Sequence, residues 1–530
     1  SESRYNKKSY YLPIQLMNNF KCPTITPGIV KKYLLELKNT TCAGSDEIPK
    51  CVLKQCASIL CYPLSILFNQ SLSSGCFPNL WKESFIIPIH KAGNKSDISN
   101  YRGISALNII PKLFEKIVTD QITQQITTLI SPAQHGFLKG KSTATNLLTL
   151  ASDINHGFVK GAQTDVIYTD FSKAFDCVNH ELLLLKLDMI GLPSYLINWL
   201  RSYLTDRSQR VKFNNTVSNP ITVTSGVPQG SHIGPILFLI YINDLTSVIK
   251  SSKILMFADD VKLYNSFNSQ NGSVLLQNDL NSISIWCTEN LMNMNIKKCK
   301  HMTFNRGSKI QTEYFIDSTR LEIVDSFKDL GVIMDPKLRF NIHINNMINK
   351  GASMLGFIKR WAKDFNDPYT TKLLFTSLVR PILEYASVVW NPQYETYVTK
   401  IESIQKQFLL FALRNFYWDT SINLPSYSSR LKLINLPSLQ SRRTVLSVTF
   451  LHKLIYGDVV SETLLAKISI NVPSRRTRYY EFIRLKTCTN NYGNFDPFRV
   501  LCVLYNHHYY SFESTDSCDS IKRSLTILLN

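Results

Sequence analysis

The chain has 530 residues, 44% of them hydrophobic and 18% charged, with 21 Pro and 20 Gly. At roughly 100–200 residues per domain this allows about three packed units with a sizeable core, and it excludes wholesale disorder. Lys and Arg exceed Asp and Glu by a net +20, which points to a polyanionic partner, because such cations displace condensed counterions from phosphate backbones, but names no chemistry.

In chain order, a polar segment of about forty residues contains one amphipathic stretch, Ile29 to Leu37. Residues 81–91 predict a strand, and Ile109, Leu113, Ile117, Ile122 and Ile126 recur near helical spacing. A helix is predicted over Thr143–Val159, then a β-rich run, Asp165 to Thr169, ending at Asp170. Helices follow over Glu181–Ile190 and Ser194–Leu204, and strands over Gln209–Phe213 and Ile221–Thr224, before the turn SGVPQG. Ile233–Leu245 reads as a helix, and Lys253–Tyr264 as two strands around a tight acidic turn. Helix Val274–Leu291 and strand His301–Phe304 complete this unit, and the interleaving predicts an α+β sheet domain. Short strands EYFI, LEIV and DLGVIM come next, then helices between Ile342 and Leu383 and a mostly helical final third.

The longest apolar run, Pro235 to Ile242, is far short of the ~18–20 residues that span a bilayer, so no membrane partner is expected. No leader-like N-terminal stretch supports secretion, and the start at Ser1 suggests a piece of a longer polypeptide. Twelve cysteines form no C-x-x-C pair; Cys51, Cys56 and Cys61 read as small core residues of a reduced intracellular protein. Cys502, His507, His508 and Cys518 match no common zinc spacing.

The acidic turn carries the chemistry. Asp259 and Asp260 sit between the apolar runs LMF and VKLY, where adjacent carboxylates repel unless a cation offsets them. Asp170 ends another apolar strand. If the strands are neighbours, ~4.8 Å apart, the three carboxylates converge at one edge and suit Mg²⁺ with open positions. Strand alternation keeps Asp259 and Asp260 from facing Asp170 equally; Asp259 is assigned the tighter role. A lone Asp pair is more often a solvated turn, but here an aspartate-ended strand, a Gly-Pro-Gly turn and an acidic hairpin follow in order, the arrangement of polymerase palms.

The motifs FIIPIHKAGNKSDISNYRGIS (85–105), QHGFLKGKSTATNLL (134–148), YTDFSKAFDCVNH (168–180), SGVPQGSHIGP (225–235), FADD (257–260) and FKDLGVIMD (327–335) resemble the reverse transcriptases of non-LTR, LINE-type retrotransposons, the jockey-like elements above all. LVRPILEYASVVW (378–390) and INLPSLQSRRTVL (434–446) extend the likeness, which runs from about Gly44 onward. The resemblance implies a right-hand polymerase: an N-terminal extension (1–40), fingers (41–165), palm (166–305), thumb (306–395) and a helical C-terminal region (396–530).

It further implies that Asp170, Asp259 and Asp260, with the Phe171 carbonyl, bind two Mg²⁺ ions, for which Mn²⁺ can substitute. Phe175 falls where the family has its sugar gate, against the bland alternative of a core ring. Lys91 and Arg102 match residues that grip the triphosphate, and Gln229 and Gly230 match the turn beneath the nucleotide. Lys298 resembles a proton donor to pyrophosphate, although Lys297 and Lys300 beside it also fit a solvated charge run. Leu330 and Gly331 correspond to a primer-contacting hairpin. Arg475, Arg476, Arg478, Tyr479, Tyr480, Phe482, Arg484 and Lys486 mix cations and rings as a single-stranded nucleic-acid contact would, or as an amphipathic segment with its rings inward.

The expected partners are an RNA template, a DNA primer or target, deoxynucleoside triphosphates and further domains of a polyprotein, an endonuclease included. The expected setting is a nuclear and cytoplasmic ribonucleoprotein. Two departures stand out: Gly103 where the family commonly has Pro, and Glu47 where Gly is usual. A decayed copy that only binds nucleic acid, and an RNA-templated RNA polymerase disfavoured by Phe175, are the competing readings.

Overall fold

Two five-stranded sheets and two short two-stranded hairpins are present among the described residues. The computed structural model describes residue 20 and residues 24–41, 44–214, 216–362, 367–416, 425–472, 481–488, 490–511 and 517–529. Strands β1 (Glu83–His90) and β2 (Tyr101–Ala106) form an antiparallel pair. β3 (Gln163–Thr169) belongs to the second sheet, but β4 (Arg207–Phe213) returns to the first, parallel to β1, and carries the short β5 (Thr216–Val217) and β6 (Ile221–Val223). The second sheet adds β7 (Lys253–Phe257), β8 (Asp260–Phe267) and β9 (Lys300–Phe304), with β3 between β8 and β9 and Glu322–Ile323 at the far edge.

β3 is buried along its whole length, so its alternation divides two cores. Ile167, with Val261 and Leu263 of β8, joins the core formed by helices His180–Met189, Ser194–Leu204, Gly234–Ile242 and Asn271–Glu289. Val166 and Tyr168 face the other core, which holds helix Thr143–Val159, helix Asn341–Trp361 and the C-terminal helices. Gly234–Ile242 is apolar all round because it is enclosed, not because it meets lipid: every residue in it but Pro235 is buried. Among the described residues no helix is long and apolar enough to cross a membrane.

Most predicted helices are present within a few residues. Thr143–Val159 matches to the residue, its start set by a reciprocal cap between Ser142 and Thr145. DLGVIM, read as one strand, is instead a hairpin: Phe327–Asp329 pairs with Val332–Met334 around Leu330 and Gly331, both at positive φ. The apolar residues on either side obscured that turn. Cys61 is buried as expected, but Cys51 and Cys56 are only half-buried; Cys502 is buried as well. Among the described residues, Cys502, His507, His508 and Cys518 form no metal-holding group.

Both departures from the family pattern have a local cause or cost. Gly103 lies opposite Pro88, and a Cβ there would fall 2.8 Å from the Ile86 side chain, so the small residue accommodates this isoleucine. Glu47 is exposed and holds a left-handed backbone, φ +56°. Because that conformation strains any residue with a Cβ, Glu47→Gly is expected to stabilise the fold by about 1 kcal/mol, read as a raised urea midpoint.

A buried carboxyl makes stability depend on pH. Glu115, on helix Ile109–Ile126, accepts a hydrogen bond from the His232 amide at 3.1 Å. Burial pushes its carboxyl up to about 7. Between about pH 4.5 and 7 the unfolded chain sheds this proton while the folded chain keeps it, so the group's contribution falls as pH rises. Glu115→Gln removes the titration but keeps the acceptor. Its stability relative to the wild type is expected to rise by about 3 kcal/mol across that window, measured by urea unfolding at pH 5 and 8.

Candidate active site

The acidic turn is a two-residue connection. Phe257 pairs with Asp260, leaving Ala258 and Asp259 to reverse the chain, with Ala258 at φ +56°. A non-glycine residue holds that conformation only with support, and a neighbouring segment supplies it. The Gln134 side-chain oxygen accepts from the amides of Ala258 (2.9 Å) and Gly136 (2.8 Å). The His135 amide and the Asn146 side chain both donate to the Met256 carbonyl, at 2.8 and 3.1 Å. A Cβ on Gly136 would fall 2.5 Å from the Ala258 nitrogen, so glycine is required there.

Register brings the third acid in. Tyr168 lies opposite Lys262 and Thr169 opposite Val261, so the next position, Asp170, faces the level of Asp260. Side-chain alternation then puts Tyr168 and Asp170 on the same face as Lys262 and Asp260. Burial pushes the Asp259 carboxyl up, the Asp170 charge adds to this, and Arg102 and Lys91 oppose it. Asp260 is pushed up to about 6 by burial and by the charges of Asp259, Asp329 and Asp170.

The acids offer the oxygen donors that a hard divalent cation takes. Asp170 Oδ2 is buried and accepts no hydrogen bond, with only the Lys298 ammonium 3.2 Å away as an ion pair. The isolated bridge between Phe171 and Met294 uses the Asp170 carbonyl and the Ser172 amide, leaving the Phe171 carbonyl outside it. Among the described residues no group of three or more His, Cys, Asp or Glu side chains is placed to hold a metal ion by itself. The acids are an open set, of the kind that leaves positions for waters and phosphate oxygens.

The remaining expected residues are distributed around these acids. Lys91 and Arg102 are exposed at the loop end of the β1–β2 pair, where the Lys91 amide closes the loop onto the Asn100 carbonyl at 2.8 Å. Both cations bear on Asp259. Phe175 is half-buried, stacked on Phe238 with ring centres 4.4 Å apart, and edge-on to Phe137 at 6.1 Å. Its carbonyl accepts from the Val227 amide at 2.8 Å, which joins it to the SGVPQG turn. The Gln229 side chain donates to Asp176 at 3.1 Å, and Gly230 (φ +120°) lies against the Ser105 carbonyl with no room for a Cβ. A cavity of about 350 Å³ opens between β1, β2, β4 and this turn, lined by Lys173, Asp176, Gln209 and Gln229.

The lysine run is divided by function of position: Lys298 reaches Asp170, while Lys300 pairs with Glu322 at 2.6 Å. Leu330 and Gly331 form the hairpin tip already described. Arg475, Arg476, Arg478, Tyr479 and Tyr480 lie outside the described residues. Phe482 stacks on Tyr509 at 4.5 Å, a ring turned inward as in the amphipathic alternative. Sequence reasoning did not single out Gln134, Asn146, Asp176 or Lys262. Their only signal was position inside or beside the quoted motifs.

The family described as "Reverse transcriptase (RNA-dependent DNA polymerase)" matches residues 89–356, half of the chain and all three acids. The chain belongs to that family. "Probable RNA-directed DNA polymerase from transposon BS" of Drosophila melanogaster is 26% identical over 380 residues, which cover 69% of this chain and 42% of the relative. "RNA-directed DNA polymerase from mobile element jockey" of the same fly is 25% identical over 422 residues, 77% of this chain and 46% of the relative. "Retrovirus-related Pol polyprotein from type-1 retrotransposable element R2" of Popillia japonica is 25% identical over 281 residues, 49% of this chain and 38% of the relative. The resemblance to non-LTR retrotransposon reverse transcriptases is thus borne out, and this reverse transcriptase chain spans less than half the length of those relatives.

Proposed function

We propose that the chain is an RNA-directed DNA polymerase that extends a DNA primer along an RNA template. The observation that carries this reading is the register that sets Asp170 level with Asp260 beside the Asp259 turn. Asp170, Asp259, Asp260 and the Phe171 carbonyl would hold two Mg²⁺ ions, with Mn²⁺ as a substitute. When bound, such a pair activates the primer 3′-hydroxyl and stabilises charge on the departing pyrophosphate. Asp259 has the tighter role and Asp260, crowded by Asp329, the looser one.

The chain's own side chains orient the reactants. Lys91 and Arg102 hold the triphosphate, Arg102 as a two-pronged donor and Lys91 as a point charge. Phe175 closes on C2′ of the sugar, where a ribose hydroxyl would clash. Gln229, anchored on Asp176, and Gly230 support the nucleotide and template from below. Lys298, held at Asp170, supplies a proton to pyrophosphate. Leu330 and Gly331 contact the primer end. Arg475, Arg476, Arg478 and Tyr480 touch the nucleic acid farther away.

In this reading residues 1–40 are an extension, 41–165 the fingers, 166–305 the palm, 306–395 the thumb and 396–530 a helical C-terminal region. The partners are RNA template, DNA target and deoxynucleotides, within a nuclear and cytoplasmic particle that also includes an endonuclease. Primer extension on an RNA template tests this directly. Incorporation that needs deoxynucleotides and Mg²⁺ and stops on chelation is expected. Binding of primer–template without any incorporation would leave only a nucleic-acid-binding protein.

A further inference from the structure

One rung behind the acids, on the same face of the sheet, lies a buried ion pair whose part in the chemistry above is confined to the charge that Asp260 feels from Asp329. Lys262 Nζ is 2.6 Å from Asp329 Oδ2, with both side chains almost inaccessible to water. Lys262 also donates to the Asn146 side chain, which itself holds the Met256 carbonyl at the base of the acidic turn. Asp329 is the last strand residue before Leu330 and Gly331. Beside this pair, Phe327 of the same hairpin stacks on Tyr168 of β3, ring centres 3.9 Å apart and 19° from parallel. Tyr168 and Lys262 are direct cross-strand partners, two residues from Asp170 and Asp260 respectively.

The tip of the hairpin has a second tie. Tyr385 donates its hydroxyl to the Leu330 carbonyl at 2.8 Å and lies 3.1 Å from Thr143 Oγ1. Gly331 (φ +92°) is required beneath that ring, because a Cβ would fall 2.9 Å from it. The main chain at Tyr385 is held in turn, since the Trp390 indole donates to the Tyr385 carbonyl at 2.6 Å. The hairpin is therefore tied on both sides, through Asp329 to Lys262 and through the Leu330 carbonyl to Tyr385.

A buried ion pair is a poor device for stability alone, since two well-packed apolar side chains serve as well or better. Its advantage is directional: one geometry satisfies both charges and Asn146 together. We propose that Lys262, Asp329 and Tyr385 are positioning residues that fix the Leu330–Gly331 tip, and with it the primer 3′ end, at a set distance from Asp170, Asp259 and Asp260. This rests on the polymerase reading and adds to it how the two halves of the site are held in register. A displacement of about 1 Å at the reacting end costs on the order of 100-fold in rate.

The test compares wild type, the apolar double variant Lys262→Met/Asp329→Leu, and Tyr385→Phe in single-nucleotide extension of a DNA primer on an RNA template, with thermal melting as the check on folding. The double variant is expected to fold, to keep the KM for deoxynucleotide within about twofold, and to lose at least ~10-fold in kcat. Tyr385→Phe, which removes one partly exposed hydroxyl, is expected to lose ~3-fold in kcat on the same pattern. A folded double variant with wild-type kcat, or a loss confined to KM, overturns the proposal. If the double variant does not fold, an unchanged kcat in Tyr385→Phe overturns it. A wild type that incorporates nothing overturns the polymerase reading instead.

Discussion

Asp259→Asn is expected to lower deoxynucleotide incorporation on an RNA template by ~10³-fold or more, about 4 kcal/mol of lost transition-state stabilisation. The substitution keeps the side chain's size and removes one negative charge from a cluster in which burial and the Asp170 charge already oppose ionisation of Asp259. Asn is well tolerated in a two-residue turn, so the hairpin is expected to persist and the melting temperature to stay near that of the wild type. Asp170→Asn is expected to match this loss, and the double variant to be little worse than either single one, because the carboxylates act as a unit. Single-turnover extension measures all three. Incorporation by Asp259→Asn at the wild-type rate would mean that the turn does not hold the reacting phosphate's counter-charge.

Phe175→Val is expected to lower the preference for deoxy- over ribonucleotides by ~100-fold, about 2.7 kcal/mol in the ratio of kcat/KM values. The ring would be effective as a gate because its neighbours pack against it: Phe238 stacks on it and Phe137 meets it edge-on. Valine leaves room for a 2′-hydroxyl, and the backbone stays pinned through the Phe175 carbonyl to Val227. The same packing explains why the position also resembled a core residue. A gate would need such a rigid backing, and Phe238 supplies it against one face of the half-buried ring. Unchanged selectivity with lowered stability would leave Phe175 as core alone, and would reopen the RNA-templated RNA polymerase reading.

Much of this site is legible along the chain because its parts are local. The apolar runs before Asp170 and around Asp259 and Asp260 announce strand ends and a turn, and Ser142 and Thr145 announce a helix start. The hairpin at Leu330 was harder to read: its strands are three residues each, too short for alternation to show. The charge run Lys297–Lys300 was ambiguous for a different reason. Which lysine meets an acid depends on how the segment after helix Asn271–Glu289 crosses to Phe171, a bridge formed with residues more than a hundred positions earlier.

Residue types, their order and their periodicities are enough to place carboxylates, cations and a ring in one polymerase-like series, since those patterns follow from each residue's immediate neighbours. Tertiary structure alone determined that Asp170 stands level with Asp260, that Gln134 supports the acidic turn, and that Lys262 finds Asp329. Each of these depends on strand register, and a slip of one residue would turn every side chain to the opposite face. That register is set by the two cores packed on either side of β3, which no local stretch of chain encodes by itself.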